Sequence, residues 1–197
     1  MVFVFDIDDT ISETDKYSTK YISNFFKENN LPFRKIRELA RFAEMHFDWD
    51  SSTALQWYLT YGDQMMLEFP CKEGAVKLIN SLYDDGHTII FATARANDWH
   101  VKPEEITKQW LVNNGIKYHK LYVGRVDKEL ICKEENADIF VDDDIKITAK
   151  VAEQNPKMQV FLSTTDYNKT LEEAKNTTRL NNIQELSNYI EPANDKE

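Results

Sequence analysis

Apolar positions along this chain follow two alternating rhythms. Five short, mainly apolar runs, at positions 2–5, 88–92, 121–123, 139–141 and 158–162, read as strands buried in a parallel sheet. Between them apolar residues recur every three or four positions, the period of a helix with one buried face. The first such pattern opens at Thr14, carries Tyr17, Tyr21, Ile22, Phe25 and Phe26, and stops at Asn29, Asn30 and Pro32. A second helix is predicted with Ile36, Leu39, Ala40 and Ala43 on one face. A third is capped by Asp50-Ser51-Ser52 and carries Leu55, Tyr58, Leu59, Met65, Met66 and Phe69. These aromatic and methionine stripes read as packing faces between helices rather than as a ligand box.

After Pro70 the two periods alternate regularly. Ala75, Leu78, Ile79 and Leu82 give a helix ended by Gly86, where a left-handed residue is wanted. Pro103-Glu104-Glu105 opens another, with proline and acids in the first turn, carrying Ile106, Trp110 and Leu111 up to Gly115. Helices over 128–136, after Asp144 through Gln154, and over 182–190 complete the pattern. Strands alternating with helices through short loops require parallel pairing. The predicted fold is α/β: an open, doubly wound, Rossmann-like parallel sheet of five strands. Residues 1–11 and 71–190 form its core, and residues 12–70 form a small helical cap inserted after the first strand. The polar stretch 191–197 reads as a disordered tail.

Composition narrows the partners. A formal net charge of −10 argues against long nucleic acid, whose phosphates are gripped by basic surfaces. It leaves room for a small phosphorylated substrate, because a cation and a local basic side chain can reverse the sign within a site. No run is long enough to span a membrane, the start lacks a signal-peptide pattern, and Cys71 and Cys132 fit no metal spacing. The expectation is a reduced, cytoplasmic protein without a membrane partner.

The chemistry is concentrated where strands end. The first strand runs into Asp6, Asp8, Asp9 and Thr10, and the fourth into Asp142, Asp143 and Asp144. One acidic turn is as easily a solvated loop. Two at the carboxyl ends of strands in one parallel sheet point to a shared crevice and a hard divalent cation. Thr93 ends the second strand, and Lys128 stands at a helix start nearby. A carboxylate can attack phosphorus, a metal, ammonium and hydroxyl can hold the phosphoryl oxygens, and a second carboxyl can move the proton. The inventory suits phosphoryl transfer.

Asp6-Ile-Asp8-Asp-Thr10, the apolar strand ending in Thr93, a lysine, and Val141-Asp142-Asp143 resemble, in that order, the four motifs of the haloacid dehalogenase (HAD) superfamily phosphatases. The resemblance spans nearly the whole chain, and the insertion at 12–70 sits where that family carries its C1-type cap. It implies Asp6 as the nucleophile forming an aspartyl-phosphate, Asp8 as general acid/base, and Thr93 as a phosphoryl contact. Mg²⁺ would be held by the Asp6 carboxylate, the Asp8 carbonyl, Asp142 and Asp143, with Thr10 bracing the loop. Lys128 is favoured as the phosphate-binding lysine over Lys133, which falls mid-helix. The Phe-Asp-Ile-Asp-Asp-Thr start and the Thr-Ala-Arg turn are similar to the 5′(3′)-deoxyribonucleotidase group, which implies a nucleotidase on small nucleoside monophosphates.

Other readings remain open at this stage: a phosphatase on another small metabolite such as a sugar phosphate, a phosphomutase, or a catalytically silent binding protein. A dehalogenase is disfavoured by Asp8. A signalling receiver domain is disfavoured because too few residues follow Asp143. Arg95, Trp99, His100, Arg125 and the cap aromatics are candidates for touching substrate, though residues of each kind are more often explained by packing or solvation.

Overall fold

The structure, a computed structural model, describes residues 1–38, 40–98 and 100–190, and only the backbone of Ala43. Six parallel strands form one sheet: β1 (Val2–Phe5), β2 (Thr88–Thr93), β3 (Lys120–Val123), β4 (Ile139–Asp142), β5 (Gln159–Ser163) and β6 (Thr177–Leu180). Their order is β3-β2-β1-β4-β5-β6, so β1 is central and the winding reverses between β1 and β4. The register pairs Phe5 with Phe91 on one side and with Val141 on the other. Strand ends that carry Asp6, Thr93 and Asp142 are thereby brought to one edge of the sheet.

The period-two alternation of β1 explains the two cores. Phe3 and Phe5 face α3 (Ala75–Asp84) and α4 (Pro103–Asn113), packing with Ile79, Phe91, Trp110 and Leu111. Val4 faces the opposite layer with Ile90, Phe140, Ile131 of α5 (Lys128–Glu134) and Val151 of α6 (Ile145–Gln154). Both faces of the central strands are covered, so β1 and Ile139–Val141 of β4 are uninterrupted apolar runs.

Between β1 and β2 lie α1 (Thr14–Glu28) and α2 (Ser51–Glu68). They share a separate apolar cluster of Tyr21, Ile22, Phe25, Phe26, Phe47, Trp57, Met65 and Phe69. The Asp50 side chain accepts from the Thr53 amide, as its position before α2 demands. The two chain connections are zipped together: Ser12 bridges Cys71, Glu13 N donates to Pro70 O at 2.9 Å, and Lys72 N donates to Ile11 O at 2.8 Å.

The structure corrects three expectations. The sheet has six strands rather than five, because Thr177–Leu180 adds an edge strand to β5. Among the described residues of 36–43 no α-helix is present: the Ile36 and Arg37 amides both donate to the His46 carbonyl, Lys35 bridges Phe47, and a 3₁₀ turn, Ala43–His46, follows. Ile36, assigned to a buried face, is 49% exposed, and Leu39 lies outside the described residues. The last predicted helix is a 3₁₀ segment, Ile183–Tyr189, capped by Asn182. The proposed tail at 191–197 also lies outside the described residues. Among those residues no helix is long and apolar enough to cross a membrane.

Candidate active site

The site is built where β1 and β4 end side by side. The Asp6 amide donates to Val141 O at 2.9 Å, which continues the ladder one residue past β1 and fixes the Asp6 side chain against β4. Asp142 is the last residue of β4, and its Oδ1 accepts the Asp144 amide at 2.8 Å. Asp127 caps α5 by accepting the Leu130 amide, so Lys128 occupies the first position of that helix and points back across the strand ends. Its Nζ donates to Asp6 Oδ1 at 2.6 Å and to Asp142 Oδ2 at 2.7 Å, and all three side chains are buried.

Asp6, Asp142 and Asp143 each offer an oxygen within 4.8 Å of the others. Asp143 is held from behind: Tyr167 Oη donates to its Oδ2 at 2.9 Å and its carbonyl at 2.6 Å, and Asn168 Nδ2 donates to the same carbonyl at 2.9 Å. Thr10 Oγ1 reaches Asp143 Oδ1 at 3.4 Å. Three carboxylates gather around the Lys128 ammonium here, and the crowding shows in Asp6 and Asp143. Burial pushes Asp6 up to about 7; Lys128 pulls the other way, while Asp142 and Asp8 add to the rise. Burial, with the charges of Asp142, Asp6 and Asp9, pushes Asp143 well above the usual carboxylate range. Burial also opposes the Lys128 charge, but Asp142 and Asp6 outweigh it and raise that group above its ordinary value. A cluster of hard oxygens short of positive charge fits a divalent ion such as Mg²⁺.

Asp8 lies two residues on and has different partners. Arg95 grips it with two bonds, Nε to Oδ2 at 2.8 Å and Nη2 to Oδ1 at 2.7 Å, and Thr14 Oγ1 donates to Oδ1 at 2.8 Å. Burial would raise Asp8, but the charge and hydrogen bonds of Arg95 hold its carboxyl below its ordinary value. Thr93, fully buried at the end of β2, sets its hydroxyl 3.5 Å from Asp8 Oδ2.

Asp6, Asp8, Thr93, Lys128, Asp142 and Asp143 all line one cavity of about 440 Å³. The 12–70 segment contributes Phe42, Tyr58, Met65, Met66 and Phe69 to its lining, joined by Val126 and by Ile147 of α6. His100, Arg41 and Arg125 also line it. Lys133 is on the surface, away from the cluster. Asp9 also lines the cavity, and at φ 55° it accepts the Asp15 amide at the start of α1. Asp144 caps α6 and pairs with Arg41.

No protein-family profile and no curated protein matches the chain in sequence. Solved structures do match in shape over almost its full length. A phosphoglycolate phosphatase of Haemophilus somnus superposes with a TM-score of 0.67 at 14% identity, covering 95% of this chain and 96% of that one. The chain has the HAD-like fold. A HAD-hydrolase of Bacillus subtilis, YfnB, bound to magnesium, gives 0.66 at 13% identity, covering 95% and 97%. A β-phosphoglucomutase of Thermotoga maritima gives 0.65 at 12% identity, with the same coverage. All three carry provisional names. Within this fold the site stands at the reversal of strand order, where open α/β sheets place their ligands.

Sequence reading offered Arg95 only as a candidate substrate contact, whereas the structure pairs it with Asp8, and it gave Tyr167 no role. Arg95 followed a strand in Thr-Ala-Arg, but its partner Asp8 is 87 positions away. Tyr167 stands in a polar loop, and nothing local marks it.

Proposed function

We propose that this protein is a Mg²⁺-dependent phosphomonoester hydrolase acting through an aspartyl-phosphate on Asp6. The observation that carries this reading is the Lys128 ammonium between Asp6 and Asp142, with Asp143 completing an oxygen cluster at the strand ends. Bound there, Mg²⁺ would supply positive charge to the phosphoryl oxygens, and Asp6, Asp142, Asp143 and the Asp8 carbonyl would hold it. Asp6 attacks phosphorus, Lys128 neutralises charge on the equatorial oxygens, and Thr93 orients them. Asp8 gives a proton to the leaving oxygen and later takes one from the water that releases phosphate.

The segment 12–70 serves in this reading as the cap over the site. Its apolar wall of Phe42, Met65, Met66 and Phe69 favours a leaving group with a flat or apolar part over a polyhydroxylated one. We therefore rank nucleoside monophosphates first among small phosphorylated substrates. The second reading, a sugar-phosphate phosphatase or phosphomutase, draws on the names of the Haemophilus and Thermotoga proteins. A phosphate-release panel of nucleoside monophosphates and sugar phosphates, with and without EDTA, tests both. Release that needs Mg²⁺ and is fastest on nucleotides is expected. Turnover undiminished in EDTA would sink the metal assignment, and isomerised product without phosphate release would favour the mutase.

A further inference from the structure

Arg95 is 4% exposed, so its charge is almost wholly withdrawn from water. A buried guanidinium needs partners for its nitrogens, and each nitrogen here has one. Nε and Nη2 form the fork onto Asp8, and Nη1 donates to Thr107 Oγ1 at 3.3 Å. The guanidinium also lies over the Trp110 ring, 5.7 Å from its centroid. Thr107 and Trp110 are both on α4 and are themselves tied down. The Thr107 hydroxyl donates to Pro103 O at 2.6 Å, and the Trp110 indole donates to Phe69 O at 2.8 Å, where the inserted segment returns to the core. Arg95 cannot turn toward the cleft without giving up a bidentate charge pair and leaving Asp8 half-paired. None of the hydrogen bonds of Asp8 comes from the Lys128 cluster.

We propose that Arg95 is a positioning residue that fixes the direction of the Asp8 carboxyl, and through it the path of the proton to the leaving oxygen. The inference rests on the reading of Asp8 as the acid/base. In the transfer step the Asp6 oxygen–phosphorus bond forms as the ester phosphorus–oxygen bond breaks. The proton passes from Asp8 to the departing alkoxide, which leaves as an alcohol. Arg95 exchanges no proton, since a guanidinium stays charged throughout. When one Asp8 oxygen carries the proton, the other keeps its bond from Arg95, and that bond sets the rotation of the carboxyl. A fork does this where a lysine would not, because two parallel donors define a plane.

The test is leaving-group dependence of kcat/KM, which reports phosphoryl transfer without the later hydrolysis. It compares p-nitrophenyl phosphate, whose leaving group needs little protonation, with a simple alkyl phosphate, both with Mg²⁺. In Arg95→Gln the alkyl ester should slow on the order of 10²-fold and the nitrophenyl ester by less than about tenfold, since proton delivery matters for the first alone. Arg95→Lys keeps the charge but not the fork, so most of the loss on the alkyl ester should remain. Adding Arg95→Gln to Asp8→Asn should cost nothing further on the alkyl ester, as for two residues acting through one group. Equal slowing of both esters, or a further loss in the double variant, would overturn the proposal and make Arg95 a direct substrate ligand. Should Arg95→Gln fail to fold, Thr107→Val removes the brace alone, and the same bias toward the alkyl ester is expected at about three- to tenfold. An equal effect on both esters there overturns it equally. If Asp8→Asn itself shows no bias, the acid/base reading of Asp8 falls and the proposal with it. Bias in Asp8→Asn but none in Arg95→Gln sinks the proposal alone.

Discussion

Replacing Lys128 with methionine keeps the buried stem and removes only the ammonium. Two short charge-assisted bonds vanish, at 2.6 Å to Asp6 and 2.7 Å to Asp142, and their acceptors stay buried. Breaking a buried pair by deleting one partner costs roughly 3–5 kcal/mol, because the remaining charge is left uncompensated. For a chain of this size each kcal/mol moves the melting temperature by about 2–4 °C, so a fall of roughly 6–20 °C is expected without metal. A divalent ion restores positive charge to the same carboxylates, so Mg²⁺ should raise the melting temperature of Lys128→Met more than that of the parent protein. Under the proposed mechanism the phosphate-release rate should also drop by about 10²-fold or more, the usual cost of losing one preorganised donor to a developing charge. Lys133→Ala is the contrast: that side chain is exposed, and surface changes usually stay within about 0.5 kcal/mol. Thermal denaturation with and without Mg²⁺, beside a phosphate-release assay, reads both effects. A Lys128→Met protein that melted and turned over like the parent would refute the argument, and a loss confined to Lys133→Ala would transfer the role.

Asp6→Asn should release no phosphate and give no acid-stable phosphoenzyme on denaturing gels, since an amide cannot be the nucleophile; a labelled band at residue 6 in that variant would be decisive against the assignment. Thiol titration offers a check on the fold itself: burial pushes Cys132 up to about 12 and Cys71 up to about 11, so both should resist a disulfide reagent at pH 8 until denaturant is added. Rapid native labelling of Cys132 would mean that the α5–β4 layer is not packed as described.

The parts of this architecture legible in the sequence are those whose cause is local. Val2–Phe5 and Ile139–Asp142 are buried on both faces, so every residue must be apolar until the strand ends, and the switch to aspartate marks that end sharply. Lys128 was legible because Asp127 caps a helix and places the next residue at its start. β6 was not legible: of Thr177, Thr178, Arg179 and Leu180 only the last is buried, and an edge strand of that kind carries no apolar run. The helix expected over 36–43 failed because helical spacing is only a necessary condition. Ile36 and Arg37 find a better acceptor in the His46 carbonyl, and that pairing holds the segment open. The pairing of Arg95 with Asp8 is the instructive omission, since an arginine after a strand is ordinarily solvated and only that tertiary contact removes it from water.

That pairing bears on how the inserted segment can influence chemistry without touching phosphorus. The segment leaves after Ser12 and returns at Cys71, and the bonds from Glu13 to Pro70 and from Lys72 to Ile11 make those two passages one short hinge. Thr14, the first residue of α1, donates to one oxygen of Asp8. Phe69, just past α2, accepts from the Trp110 indole under the Arg95 guanidinium. One root of the insertion thus touches Asp8 directly and the other reaches it in three contacts, through Trp110 and Arg95, while Asp6, Lys128 and Asp142 sit on the sheet and α5. A shift of the insertion relative to the sheet would move the groups that orient Asp8 and leave Asp6 and Asp142 where the strands put them. In the proposed reading, substrates that seat the insertion differently should then differ in proton delivery to the leaving group more than in metal affinity. Magnesium titrations run beside substrate comparisons would separate the two, and matched changes in both would show that the sheet does not insulate the metal site from the insertion.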